Sequence, residues 1–193
     1  VVVDPGDALG PLQTLDRLGW IPELVVLTHE HCDHTAGLEP LRERWPGLAV
    51  LATERCSANL QSTRLNMSAM MEVYLTFHGS PGVRYPPFTC RPAGLTYGAE
   101  YTHFWRGHRL RCVPLPGHTP GSAGIFWDEE AFFSGDYLLP CEKTVLRLPG
   151  GSEADYRAVT LPRLQELPGG LLIHPGHGPS YRLGGRPGLP QGV

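Results

Sequence analysis

The feature that most restricts the fold of this sequence is a short apolar run that recurs five times and ends each time in aspartate or histidine. The polar ends of VVVDPG, VVLTHEHCDH, VPLPGH, FFSGD and LLIHPGH are Asp4, the segment 29–34, His118, Asp136 and His177. Short β-branched runs bounded by glycine or proline are typical of buried strands. Because α/β sheets bind ligands beyond the carboxyl ends of their strands, we expect the five ends to share one crevice.

Helical patterns separate these runs, and the alternation indicates a layered α/β fold. Apolar spacing predicts helices over 35–45, 57–75 and 153–167, and strands over 23–27, 48–52, 108–115 and 170–173. AGIFW and AFFSG form a predicted hairpin across 128–130. A chain of 193 residues suits one domain. We therefore expect a single domain over 1–193, with a substrate-specifying insertion around 57–107.

Composition narrows the possible partners. A net charge of −3 and a pI near 6.3 provide no basic surface for a nucleic-acid backbone. No apolar run approaches the roughly 18 residues of a membrane span. The five cysteines are scattered, with no CxxC pair, which favours reduced thiols and a cytoplasmic location. The expected partner is a small-molecule substrate, and the residues do not fix an oligomeric state.

The densest polar end, HEHCDH, carries enough ligand groups for two metal ions. His29 and His31 are two residues apart, so their rings project to the same side of an extended segment. Asp33 and His34 follow where the chain tightens into a helix, and they aim at a displaced point. A solvated loop is the alternative, and the string is not the H-E-x-x-H helix of zinc proteases. The other strand ends favour metal binding.

Those strand ends complete two ligand sets. His118 would join His29 and His31 in a three-histidine site that leaves a fourth position for water, as catalytic zinc requires. The second ion would be held by Asp33, His34 and His177, and Asp136 could bridge both ions with its two oxygens. The sequence therefore predicts a dinuclear metal centre.

With these motifs the chain resembles the metallo-β-lactamase superfamily of metal-dependent hydrolases. The match runs from VVVDPG through THEHCDH, PLPGHTPGS and SGD to IHPGHG. The resemblance implies an αββα sandwich with the metals at one edge, here lacking its first N-terminal strands. It also implies two zinc ions, with iron or manganese as possible replacements. Asp4 would steady a ligand histidine through its other ring nitrogen.

Within the superfamily, LPGGS at 148–152 followed by a helix is similar to the glyoxalase II-like hydrolases, which act on thioesters. Those enzymes carry Gly-Arg-x-Asp just before Leu-Pro-Gly-Gly, where this chain has Thr-Val-Leu-Arg. Because the sequence ends soon after His177, we expect this chain to lack the helical domain that holds glutathione in full-length glyoxalase II. True metallo-β-lactamases place Cys or Ser where Asp136 stands, which argues against β-lactam hydrolysis.

The implied chemistry is cleavage of a thioester, ester or lactone by a hydroxide that bridges the two metals. Asp33 would orient this nucleophile, and Asp136 would hold both ions. Two alternatives stay open: a mononuclear iron enzyme like the persulfide dioxygenases, and a non-catalytic metal-binding member of the family.

Residues outside the ligand sets are candidates for substrate contact. Met67, Met71 and Tyr74 form an apolar stripe that could line a pocket or simply belong to the core. Tyr137 follows Asp136 and could donate a hydrogen bond to an oxyanion. Arg147 could meet an anionic substrate at the position of the missing motif.

Overall fold

A computed structural model describes residues 1–7 and 9–184 of the protein. The chain divides between Thr96 and Tyr97 into two compact units. Each unit has its own sheet and its own hydrophobic cluster.

The first unit is built on a four-stranded sheet of order β1-β2-β3-β4, whose first three strands are parallel. Its strands are β1 (Val2–Val3), β2 (Leu24–Val26), β3 (Ala49–Thr53) and β4 (Leu95–Tyr97), the last of which runs across the division. Its helices are α1 (Leu9–Leu18), α2 (Cys32–Thr35), α3 (Leu38–Arg44), α4 (Glu54–Asn59) and α5 (Met71–Phe77), with a 3₁₀ turn at Ser68–Met70.

The core of this unit follows from its sequence pattern. All three residues of β2 are buried, as expected for the central strand of a parallel sheet with both faces covered. Leu38 and Leu41 lie one helical turn apart on α3, and both pack into the cluster around Val25 and Leu27. The strands predicted at 23–27 and 48–52 are confirmed as β2 and β3.

The single helix predicted over 57–75 is wrong. It is interrupted after Asn59, and Met67 has a left-handed φ of 67° before the chain becomes helical again. The cause is the buried Asn66, whose amide nitrogen donates to the Phe88 carbonyl at 2.8 Å and whose oxygen accepts from the Ser68 amide at 2.9 Å. The bond to Ser68 is local and competes with helical hydrogen bonding, whereas the bond to Phe88 ties Asn66 to a distant segment of the chain.

The second unit is built on a six-stranded sheet of order β10-β9-β8-β7-β6-β5. Its strands are β5 (Tyr101–Trp105), β6 (His108–Pro114), β7 (Ala123–Trp127), β8 (Ala131–Gly135), β9 (Leu172–Pro175) and β10 (Tyr181–Arg182). All pairs are antiparallel except β8 with β9. The predicted hairpin is confirmed as β7 and β8, joined by a turn in which Asp128 and Glu129 both have positive φ, as a type I′ turn requires.

The helix predicted over 153–167 is present in three pieces. They are α6 (Glu153–Asp155), a π-helical turn (Tyr156–Thr160) and α7 (Leu161–Gln165). Pro162 explains the irregularity, because its ring would collide with the carbonyl four residues earlier, at Ala158, in a regular α-helix. Widening the preceding turn to π geometry relieves that collision. Tyr156 and Leu164 still reach the core cluster of the unit.

Among the described residues, no helix combines the length and the apolar character needed to cross a lipid bilayer. The five cysteines are free thiols, and all but Cys141 are buried.

Gly124 provides a test of the packing in the second unit. A Cβ at this position on β7 would lie 2.3 Å from the ring of the fully buried Phe132, so Gly124→Ala forces the core apart. We expect the free energy of unfolding to fall by about 1–3 kcal/mol in urea denaturation. Gly47→Ala is the control, because nothing lies within 4 Å of its added methyl group. Equal stability of the two variants would contradict this packing.

Candidate metal centre

The segment 29–34, called the histidine-rich loop, follows β2 in the first unit, and its three histidines are buried. His29, His31 and His34 are each at most 3% exposed, and the ring centroids lie 4.7 Å apart for His29–His31 and 4.1 Å apart for His29–His34. The loop is anchored at both ends of its short helix α2. The Cys32 amide donates to the Asn66 carbonyl at 2.7 Å, and the Thr35 hydroxyl donates to the His31 carbonyl at 3.0 Å.

Asp4 ties the end of β1 to this loop. One carboxylate oxygen accepts from the Thr28 amide at 2.7 Å, and the other accepts from the Thr28 hydroxyl at 2.5 Å and contacts His34 Nδ1 at 2.9 Å. Asp4 makes these bonds from a left-handed φ of 46°, a strained conformation that persists where surrounding contacts enforce it. Gly6 then lets the chain pass so close that a Cβ would lie 2.2 Å from the Asp33 carbonyl oxygen.

The same bonds assign the tautomers of two histidines. The Thr28 hydroxyl gives its one proton to Asp4, so it can only accept from His29 Nδ1, 3.0 Å away. His34 Nδ1 likewise donates to the Asp4 carboxylate. Both rings therefore carry the proton on Nδ1 and present the lone pair of Nε2, which is the form that binds a metal. Potential ligand atoms of Asp4, His29 and His34 lie within 4.8 Å of one another.

In the second unit, His118 follows β6 and is held by two hydrogen bonds. Its backbone amide donates to the Tyr137 hydroxyl at 2.8 Å, and its Nδ1 donates to the Val145 carbonyl at 2.7 Å. Gly117 makes the approach possible with a φ of 145°, in a space where a Cβ would lie 2.7 Å from the Tyr156 side chain. The His118 ring therefore presents the lone pair of Nε2 as well.

Asp136, at the end of β8, faces two imidazoles with its two oxygens. Oδ2 lies 3.2 Å from His118 Nε2, and Oδ1 lies 3.5 Å from His177 Nε2. Two ligand atoms bound to one ion at about 2.1 Å are separated by about 3.4 Å in tetrahedral geometry. Both distances fit such pairs. The lone pair of a neutral His118 faces the Asp136 carboxylate, and a metal ion between the two atoms would bind both, whereas a protonated His118 forms an ion pair with Asp136.

The donor types suit a divalent transition metal. Imidazole nitrogen with carboxylate oxygen favours zinc and is also found around iron and manganese. Cys32 lies within the histidine-rich loop, and burial raises the pKa of its thiol to about 11. Among the described residues, the groups of side chains close enough to share a metal ion contain histidine and aspartate and do not include Cys32.

The predicted substrate residues have different surroundings. Met67 and Met71 are buried, whereas Tyr74 is 39% exposed and stacks on His78. Arg147 is exposed. The expected role of Tyr137 as an oxyanion donor needs correction: its hydroxyl is buried and gives its proton to the Leu115 carbonyl at 2.7 Å. Burial also raises the pKa of this phenol. Tyr137 thus supports His118 through the backbone.

Sequence reasoning missed three groups that hold the candidate ligands. Thr28 stands inside the THEHCDH motif, and its place beside His29 was a usable signal. Gly6 follows Asp4 in DPG, a turn signal whose close approach to Asp33 depends on the fold. The Val145 carbonyl has no sequence signal, because a backbone carbonyl oxygen is present whatever the residue type at that position.

Comparison with known proteins identifies the family to which the chain belongs. The sequence pattern of the metallo-β-lactamase superfamily matches residues 1–177. The chain belongs to this superfamily. Its α/β architecture with two sheets is the metallo-β-lactamase fold, as predicted.

Individual relatives are consistent with this assignment. A hydroxyacylglutathione hydrolase from Xanthomonas oryzae pv. oryzae is 42% identical over 186 residues, which cover 92% of this chain and 55% of the relative. The crystal structure of the BLEG-1 B3 metallo-β-lactamase has a TM-score of 0.79 at 26% identity, covering 93% of this chain and 81% of that one. The structure of TTHA1623 in a di-iron-bound form has a TM-score of 0.67 at 29% identity, covering 93% and 82%. The chain spans about half the length of the hydroxyacylglutathione hydrolases it matches.

The role of Asp4 can be tested by metal affinity. Asp4→Asn replaces an acceptor with an amide whose NH₂ opposes the Thr28 and His34 donors, so the ligating tautomers lose their support. We expect zinc to bind about 10–100-fold more weakly in competition with a chromogenic chelator. Asp7→Asn is the matched control, because Asp7 accepts bonds from the Leu9 and Gly10 amides and asparagine preserves this arrangement. Zinc affinity that is equal in both variants contradicts the assignment.

Proposed function

We propose that this chain is the metal-binding part of a hydrolase that cleaves a thioester, with esters and lactones as chemically related substrates. The observation that carries the proposal is the Asp136 carboxylate, which offers one oxygen to His118 and the other to His177. This is the arrangement expected of a carboxylate that bridges two ions. The thioester class is supported by the name of the hydroxyacylglutathione hydrolase relative.

We propose the same two sets of metal ligands that the sequence predicts. His29, His31 and His118 would hold the first ion. Asp33, His34 and His177 would hold the second, and Asp136 would contribute to both. We propose zinc as the resident metal, and the di-iron form of TTHA1623 supports iron as the main competitor. Divalent ions in such a centre lower the pKa of a bound water toward neutrality and polarise a carbonyl oxygen.

The residues of the chain itself have separate tasks in this proposal. Asp33 accepts a hydrogen bond from the attacking water and so orients its lone pair toward the acyl carbon. Asp4 and Thr28 keep the protons of His34 and His29 on Nδ1, which holds both rings in the ligating tautomer. The Val145 carbonyl does the same for His118. The nucleophile would attack as hydroxide and the sulfur would leave as thiolate, so the proposal assigns no proton transfer to these residues.

Substrate selection is proposed to lie in the segment 57–107 and near Arg147. Tyr74 and Arg147 are exposed and thus accessible to a ligand, whereas Met67 and Met71 are buried and would act by shaping the segment. An exposed guanidinium suits a substrate with a carboxylate. A small-molecule substrate and a cytoplasmic location remain part of the proposal.

Removing the bridging carboxylate tests this function. We expect Asp136→Ala to retain about one ion per chain where the unaltered protein holds about two, and to lose turnover by at least about a hundredfold. Asp128→Ala is the control, since that aspartate lies on the β7–β8 turn and bonds His108. Elemental analysis gives the metal content, and a panel of acyl thioesters, aryl esters, lactones and a chromogenic cephalosporin gives the turnover.

Several outcomes would contradict the proposal. Unchanged metal content and rate in Asp136→Ala would exclude the bridging role. One iron and no zinc in the purified protein would exclude the dinuclear zinc centre. Hydrolysis of the cephalosporin in preference to every thioester would exclude the thioester class and favour the activity of the BLEG-1 relative.

A further inference from the structure

Tyr137 and Asp136 are adjacent in sequence and contact the same histidine from two sides. The Asp136 carboxylate faces the His118 ring at Nε2, 3.2 Å away. The Tyr137 hydroxyl accepts from the His118 backbone amide, 2.8 Å away, and donates to the Leu115 carbonyl, 2.7 Å away. One dipeptide thus binds the backbone of His118 and faces its ring.

We propose that Tyr137 is a positioning residue that fixes the distance between His118 and Asp136, and thereby the metal affinity of this ligand pair. The proposal rests on the metal-binding function proposed above. Tyr137 spans the segment between β6 and His118 by binding at Leu115 and at His118 itself. Because Asp136 is its direct neighbour, a shift of the His118 backbone away from Asp136 stretches the hydrogen bond between the His118 amide and the Tyr137 hydroxyl.

The surroundings of Tyr137 make this link rigid. Its side chain is 1% exposed, and its ring stacks on Tyr156 with centroids 5.9 Å apart and planes 18° apart. The hydroxyl is therefore held in place by packing before a metal binds. The backbone carbonyl of Tyr137 accepts from the Ser134 hydroxyl, and the backbone carbonyl of Asp136 accepts from the Thr144 hydroxyl at 2.9 Å. The dipeptide cannot follow a displaced His118 without breaking these bonds as well.

Tyr137→Phe removes both hydroxyl bonds and keeps the aromatic ring. Tyr181→Phe is the matched control, because the Tyr181 hydroxyl also donates to a backbone carbonyl at 2.7 Å, that of Leu138, in the same segment. We expect Tyr137→Phe to weaken zinc binding about 10–100-fold, and Tyr181→Phe to change it less than about twofold. The thermal midpoint of the metal-free protein should fall in both variants, which separates positioning from general stability.

A second readout does not depend on metal. We expect the His118 amide to exchange its hydrogen at least about tenfold faster in metal-free Tyr137→Phe than in the unaltered protein, measured by NMR. Unaltered protein that binds no zinc would refute the proposed function, while the exchange rate would still decide whether Tyr137 holds His118. Equal zinc affinity of the two variants, or an unchanged His118 exchange rate, overturns the inference.

Discussion

The candidate centre depends on how the protein holds His118 Nε2 and Asp136 Oδ2 3.2 Å apart. His118 Nδ1 donates to the Val145 carbonyl, which directs Nε2 at the Asp136 carboxylate. A neutral His118 presents a lone pair there, and two facing acceptors attract a cation between them, either a metal ion or a proton on Nε2. The fold holds His118 at its backbone through Tyr137 and at its ring through Val145. Ligands that are already held in position lose less conformational freedom when a metal binds.

Control of tautomers extends the same logic to the histidine-rich loop. Asp4 and Thr28 share one proton network that leaves His29 and His34 with Nδ1 protonated. The network explains why Asp4 tolerates a left-handed backbone. The close approach to the Asp33 carbonyl explains why Gly6 lacks a side chain. Much of the design of a metal site lies in such supporting groups, and here they come from strand ends and turns.

Sequence reasoning predicted the strands of the scaffold better than its helices. The strands β2, β3 and β6 and the β7–β8 hairpin were predictable, because each carries an apolar run and a strong turn signal. Two helices were predicted as regular and are not. The bonds of the buried Asn66 interrupt one, and Pro162 forces a π turn in the other, so tertiary context and local sterics overrode periodicity. The direction of the Tyr137 hydroxyl was also beyond the sequence, because a tyrosine beside a ligand can point to substrate or to backbone.

Anomalous X-ray diffraction from zinc-loaded crystals tests the central claim most directly, since it places the ion without reference to activity. The account predicts one peak at about 2.0–2.2 Å from both His118 Nε2 and Asp136 Oδ2, and a second peak at similar distances from His177 Nε2 and Asp136 Oδ1. Zinc peaks remote from these atoms, with His118 still bonded to Val145 and still facing Asp136, would contradict it.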